Sequence, residues 1–143
     1  MVDKVITAIA QVWMNDDTLK ELLSETPEGY ASIHDRWVEP SSKFPYLCYR
    51  WEMNEGDHWA KRDNNLVVDI FDKGSSSINI ENIRNRIIEI TDRKQFESDE
   101  SGPIRLYLGG DVIVPEDDNE VVHWNITFRV IFWRKDFISK LID

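Results

Sequence analysis

An α+β fold, with a mixed, largely antiparallel sheet packed against two principal helices, is predicted by three features of this chain. Two segments repeat apolar residues every three or four positions, several others alternate or concentrate β-branched and aromatic residues, and polar turns bearing glycine or proline separate them. The order helix, short strand, strand, strand, helix, strand, strand favours antiparallel hairpins under a helical layer, leaving the far sheet surface for association. At 143 residues the chain is expected to be a single domain over 1–143, because no internal linker is long or biased enough to divide it.

The first helix is read from Val2, Val5, Ile6, Ile9, Val12 and Trp13, whose spacing draws one stripe, with Asp3 in the first turn where free amides favour an anion. Asn15 to Thr18 interrupt the stripe before Leu19, Leu22 and Leu23 resume it, either as one kinked helix or as a second segment capped by Asp16 or Asp17. Thr26-Pro27-Glu28-Gly29 marks a turn, and Tyr30 to His34 reads as a short strand. Phe44, Tyr46, Leu47, Tyr49 and Trp51 predict a strand with both faces partly covered, and Pro45 keeps a helix from running into it. A polar connection opening at Asn54 ends at Asn64 and Asn65, before the central strand Leu66 to Phe71, where Asp69 interrupts the apolar run and Asp72 follows it. Ile80, Ile83, Ile87 and Ile90 then predict the second main helix, capped by Ser77 or Asn79. Ile104, Leu106 and Leu108 alternate, Gly109-Gly110 predicts a bulge or sharp bend, and Val112 to Val114 resume the strand. Past the polar turn at Pro115 to Asn119, Trp124, Ile126, Phe128, Val130 and Phe132 share one face of the clearest strand. Ile131 and Trp133 make its second face apolar, as coverage by a helix or another subunit would require, and Lys135 to Asp143 reads as a short helix or an assembly tail.

Composition excludes several classes. A hydrophobic share of 41% is too high for a disordered chain. No apolar run approaches the roughly 20 residues that span a bilayer, and the first residues lack the pattern of a secretory signal, so a soluble intracellular protein with no membrane partner is expected. With 27 acidic residues against 17 Lys and Arg, the net charge is -10, which repels a phosphate backbone, and no sequence-specific nucleic acid partner is expected. The single Cys48 allows no internal disulfide and no cysteine-based metal cluster.

Tests for catalysis return no motif. His34, His58 and His123 lack metal-ligand spacing, and the acidic residues from Glu97 to Glu120, eight against the lone Arg105, lack the spaced donors and glycine of a calcium loop. A Cys48–His58 dyad lacks an orienting third group, and Gly109-Gly110 belongs to no phosphate-binding pattern. No catalytic residue, metal or cofactor is therefore expected, and the protein is not read as an enzyme. Six tryptophans fit core packing or an interface better than a reactive centre. Trp59 beside Lys61 and Arg62 forms one candidate protein contact, and Asp117, Asp118 and Glu120 form a second, acidic one.

The order and spacing of several pieces resemble the tail-completion or tail-terminator (tail-to-head joining) proteins of long-tailed bacteriophages and prophages. These pieces are Val5 to Ile9, Asp17 to Leu23, Phe44 to Tyr49, Leu66 to Phe71, the isoleucine helix, and Val121 to Trp124 leading into Ile126-Thr127-Phe128. The resemblance implies an α+β subunit that forms a homo-oligomeric ring, often a hexamer, contacts phage tail-tube and head-completion proteins, and carries no catalytic residues. Its location would be the virion tail, and the host cytoplasm during assembly. The acidic Glu97 to Glu120 region and the loop His58 to Arg62 depart from that pattern. A small intracellular adaptor that binds another protein is the alternative reading.

Overall fold

Helix α1 (Val2–Met14) carries its apolar residues one turn apart, so Val5, Ile9 and Trp13 are buried while Val12 faces solvent. The helix stops at Asn15, and Asp16 starts a separate helix α2 (Asp17–Leu22) by accepting a hydrogen bond from the Leu19 amide at 3.0 Å. Helix α3 (Ile78–Thr91) buries Ile80, Ile83 and Ile87 on one stripe. Ser77 occupies its N-cap position without a side-chain bond, and Ser76 Oγ accepts from the Ile78 amide at 3.3 Å. Two long-range contacts tie these helices together. The Arg86 guanidinium forks onto Asp16, with Nε 2.9 Å from Oδ2 and Nη2 2.6 Å from Oδ1, and the Trp13 indole donates to Thr91 Oγ1 at 2.9 Å. The computed structural model describes residues 2–39, 42–53, 61–74, 76–98 and 102–133.

Among the described residues, six strands, β1 (Ile33–Asp35), β2 (Tyr46–Met53), β3 (Lys61–Lys73), β4 (Gln95–Phe96), β5 (Ile104–Val114) and β6 (Val121–Trp133), form one sheet in the order β1-β2-β3-β6-β5-β4. The β1–β2 pair is parallel and every other pair antiparallel, which is the mixed α+β architecture expected from sequence. Three boundaries differ from the sequence reading. Strand β1 starts at Ile33, because Tyr30 belongs to a turn that Thr26 closes by donating to the Tyr30 carbonyl at 2.7 Å, with Gly29 at φ 88. Strand β3 starts at Lys61, five residues before Leu66, because the long neighbouring β6 offers a ladder partner to residues whose side chains alone signal a loop. Strand β4 was not expected; its two residues pair with Ile104 and Arg105. Residues 54–60 of the expected polar connection and the helix or tail expected at 135–143 lie outside the described residues.

Alternation sorts the strands into two faces. Leu47 and Tyr49, Leu66, Val68 and Ile70, Ile126, Phe128 and Val130, and Ile104 and Leu106 join the helix stripes in one buried cluster. Each large side chain so buried stabilises the fold by about 1.5–3 kcal/mol relative to exposure. Between Leu108 and Gly110 the β5–β6 register shifts, so a bulge carries Asp111 and Ile113 to the helix side and Val112 to the open side. Neither glycine there has a positive φ, and a Cβ on either would sit 3.5 Å from Thr127, an ordinary contact. The bend is thus a ladder bulge and does not depend on a conformation reserved for glycine.

Candidate functional site

Strands β3 and β6 form a ladder thirteen residues long, and the two contacts expected from sequence fall at its two ends. Lys61 and Arg62 begin β3, opposite Trp133 and Phe132, whereas the turn carrying Asp117, Asp118 and Glu120 leads into β6 beside Lys73. At a rise of about 3.3 Å per residue, roughly 40 Å of strand separates them. Trp59 lies outside the described residues. All three acidic residues are exposed, and two of them also shape their turn. Asp118 Oδ1 accepts from the Glu120 amide at 2.9 Å, and the Glu120 carboxylate stands 3.9 Å from Lys73 Nζ, with both of these side chains open to solvent.

A polar network that sequence reading did not find occupies the open face. The Asp69 carboxylate, 7% exposed, accepts from Arg50 Nη1 at 2.6 Å and from Asn125 Nδ2 at 2.8 Å, and lies 2.6 Å from His123 Nε2. His123 Nδ1 is 2.6 Å from Glu116 Oε1, so the imidazole bridges two carboxylates and donates to both only when each ring nitrogen carries its hydrogen. Its ring stacks on Phe71 with centroids 4.2 Å apart, and Tyr46 continues the aromatic row at 5.3 Å from Phe71. The register explains this convergence: Tyr46, Phe71 and His123 are aligned across β2, β3 and β6, as are Cys48, Asp69 and Asn125. Such a network holds this sheet surface in one arrangement, since the buried Asp69 carboxylate has three polar partners.

Cys48 lies in that row with no sign of activation. Burial pushes its thiol up to about 11, with Asp69 adding to the effect and Arg50 opposing it. A thiol so shifted is not a thiolate at neutral pH, and the thiolate is the nucleophilic form. The register pairs Cys48 with His34, whose Nε2 is 2.7 Å from Ser32 Oγ and whose pKa burial lowers, while Glu39 opposes. His58 lies outside the described residues. Among the described residues, no group of three His, Cys, Asp or Glu side chains is arranged to hold a metal ion.

On the helix side, the bulge aims Asp111 at α3. Arg84 donates to it from Nε at 3.2 Å and from Nη2, and Trp124 Nε1 donates at 2.5 Å. The hydrogen bonds from Arg84 hold the Asp111 carboxyl below the ordinary range; burial opposes them and the Trp124 bond assists. Of the tryptophans weighed as core or interface, Trp13 is fully buried, Trp51 and Trp124 pack against the core, and Trp37 is 67% exposed.

No protein-family model matches the chain, and no curated protein matches it. Among solved structures, the chain is similar to one from the virion of a native gene transfer agent particle, at 10% sequence identity and a TM-score of 0.72. The match covers 92% of this chain and 96% of the other, so the two share a fold along nearly their whole lengths.

Proposed function

We propose that this protein is a noncovalent structural subunit of a phage-like virion, which completes the tail or joins it to the head as a ring, within the virion tail after assembly in the host cytoplasm. The carrying observation is the fold shared with a chain of a gene transfer agent virion over 92% of this sequence. The geometry supports the same reading. A basic pair, Lys61 and Arg62, and an acidic turn, Asp117, Asp118 and Glu120, stand at opposite ends of one hydrogen-bonded ladder. A rigid body with opposed charges at its two ends suits contact with two different neighbours, here tail-tube and head-completion proteins. Trp59 would add an aromatic anchor to the basic end.

The test is reconstitution with tail-tube and head-completion proteins encoded beside it, followed by light scattering and electron microscopy. The expected product is a ring that caps tubes of finite length, and neutralising either charged group weakens capping in a salt-dependent way. Tubes that grow without limit and carry no ring overturn the proposal; a one-to-one complex with a single soluble partner would mark an adaptor instead.

A further inference from the structure

The two lateral edges of the sheet are chemically opposite. At the β4–β5 edge, an open groove of about 500 Å³ is lined by Arg93, Lys94, Gln95, Arg105 and Tyr107. Its three cations are exposed, and none is ion-paired with a carboxylate among the described residues. Beside β1, at the other end of the strand order, a groove of about 610 Å³ carries Glu25, Glu28 and Glu39 against Lys43. Those three carboxylates are exposed and likewise without a described ion-pair partner. Close to them in the chain, Tyr30 is 72% and Trp37 67% exposed.

The exposure of Trp37 is built into the backbone. Arg36, just after β1, is held at φ 70, a region costly for a residue with a side chain, while its amide donates to the Tyr49 carbonyl at 2.8 Å. The chain therefore leaves the sheet in a pinned turn, with a large aromatic ring exposed to solvent two positions before Glu39 of the acidic groove. Exposed aromatic anchors beside complementary charge are the recurring chemistry of protein interfaces.

We propose that these two edges are the two halves of one seam, and that the basic β4–β5 groove of one copy receives the acidic, aromatic β1 edge of the next. The occupant is a second copy of this chain. One surface supplies the unpaired cations with Tyr107, the other supplies the unpaired carboxylates with Tyr30 and Trp37, and the grooves are of similar size. Because the halves differ, the contact is head-to-tail and leaves each added copy with a free edge until a rotation closes the set. This inference rests on the ring reading and gives it a specific lateral contact, distinct from the ladder ends assigned to tail and head partners.

The test uses the full chain with one groove reversed at a time, as K94E/R105E and as E28K/E39K, examined by sedimentation velocity and circular dichroism. Each variant alone places like charges across every seam and should self-associate about tenfold or more weakly than wild type at moderate salt. An equimolar mixture places opposite charges across every seam again, and should regain wild-type association in oligomers containing both variants equally. Trp37→Ala should weaken association at all salt concentrations. If wild type associates while the reversed variants match it, or the mixture stays as weak as its components, the seam is wrong and the ring must close through other surfaces. If wild type stays monomeric even with tail-tube and head-completion proteins present and caps no tube, the ring reading fails and the seam with it.

Discussion

Thr91→Val isolates the hydrogen bond that joins α1 to α3. Trp13 and Thr91 are both fully buried and 78 positions apart, and the indole N–H reaches Thr91 Oγ1 at 2.9 Å. Valine keeps the volume and the branched shape of threonine and replaces the hydroxyl, and with it the acceptor of the indole, by a methyl group. The indole donor is then stranded away from water, at a cost of about 1–3 kcal/mol. For a chain of 143 residues the unfolding entropy is roughly 0.3 kcal/mol/K, so a loss near 2 kcal/mol lowers Tm by about 7 °C. Urea denaturation followed by circular dichroism measures this for T91V, T91S, W13F and the double variant T91V/W13F. T91S keeps the acceptor and should recover most of the loss. In the W13F background the donor is gone, and T91V should be nearly neutral, giving a coupling of about 1–2 kcal/mol. A T91V protein within about 0.5 kcal/mol of wild type, or one equally damaged with and without the indole, would refute the claim that this bond anchors α1.

Three further outcomes follow from described contacts. Asp69→Asn turns an amide toward donors that need an acceptor, and should cost about 1–3 kcal/mol, discounted because the Arg50 side chain is 46% exposed; equal stability by urea titration would show the open-face network to be incidental. Acid should destabilise the fold below the ordinary aspartate range. The Arg86 hydrogen bonds hold Asp16 low against burial, and those of Arg84 hold Asp111 low. Their folded-state values lie below the unfolded ones, so their contribution is complete above about pH 4 and is lost as pH falls through the depressed values. Asp16→Asn should flatten part of that slope in denaturation midpoints measured from about pH 6 downward, and an unchanged slope would exclude this pair as its source. Finally, native Cys48, with its thiol pushed up to about 11, should react with iodoacetamide at pH 8 about a hundredfold more slowly than in the unfolded chain, and labelling at the unfolded rate would contradict its burial.

Much of the architecture was legible because local periodicity carried it. Ile80, Ile83 and Ile87 of α3 and the even-numbered residues of β6 follow the expected periods, and both segments bury the faces they advertise. The Gly109-Gly110 irregularity was also visible, although the structure relates it to ladder register and not to glycine dihedrals. What escaped depends on partners distant in the chain. Lys61 to Asn65 are strand because β6 pairs with them, and β4 is a strand of two residues with no period to read. Asp69 and His123 are 54 positions apart, and nothing in either local sequence announces the other. The charged grooves at the sheet edges were hidden for the same reason, since Arg93 and Arg105 meet only once β5 folds back beside the end of α3.

The bulge in β5 also sets a parity for the chain beyond it. Upstream, Leu106 and Leu108 turn inward on even positions; downstream, Asp111 and Ile113 do so on odd ones. Losing one of the two glycines between them would leave a single residue opposite Thr127, so the ladder would run without a bulge and Asp111 would still face Arg84, on a straighter strand. Substitution at either glycine is sterically cheap, and deletion of one changes the curvature of the strand but not which face Asp111 occupies. Related chains should therefore vary freely in which amino acids occupy this site, and one shorter by a single residue here should keep the contact between Asp111 and Arg84 while losing the bend.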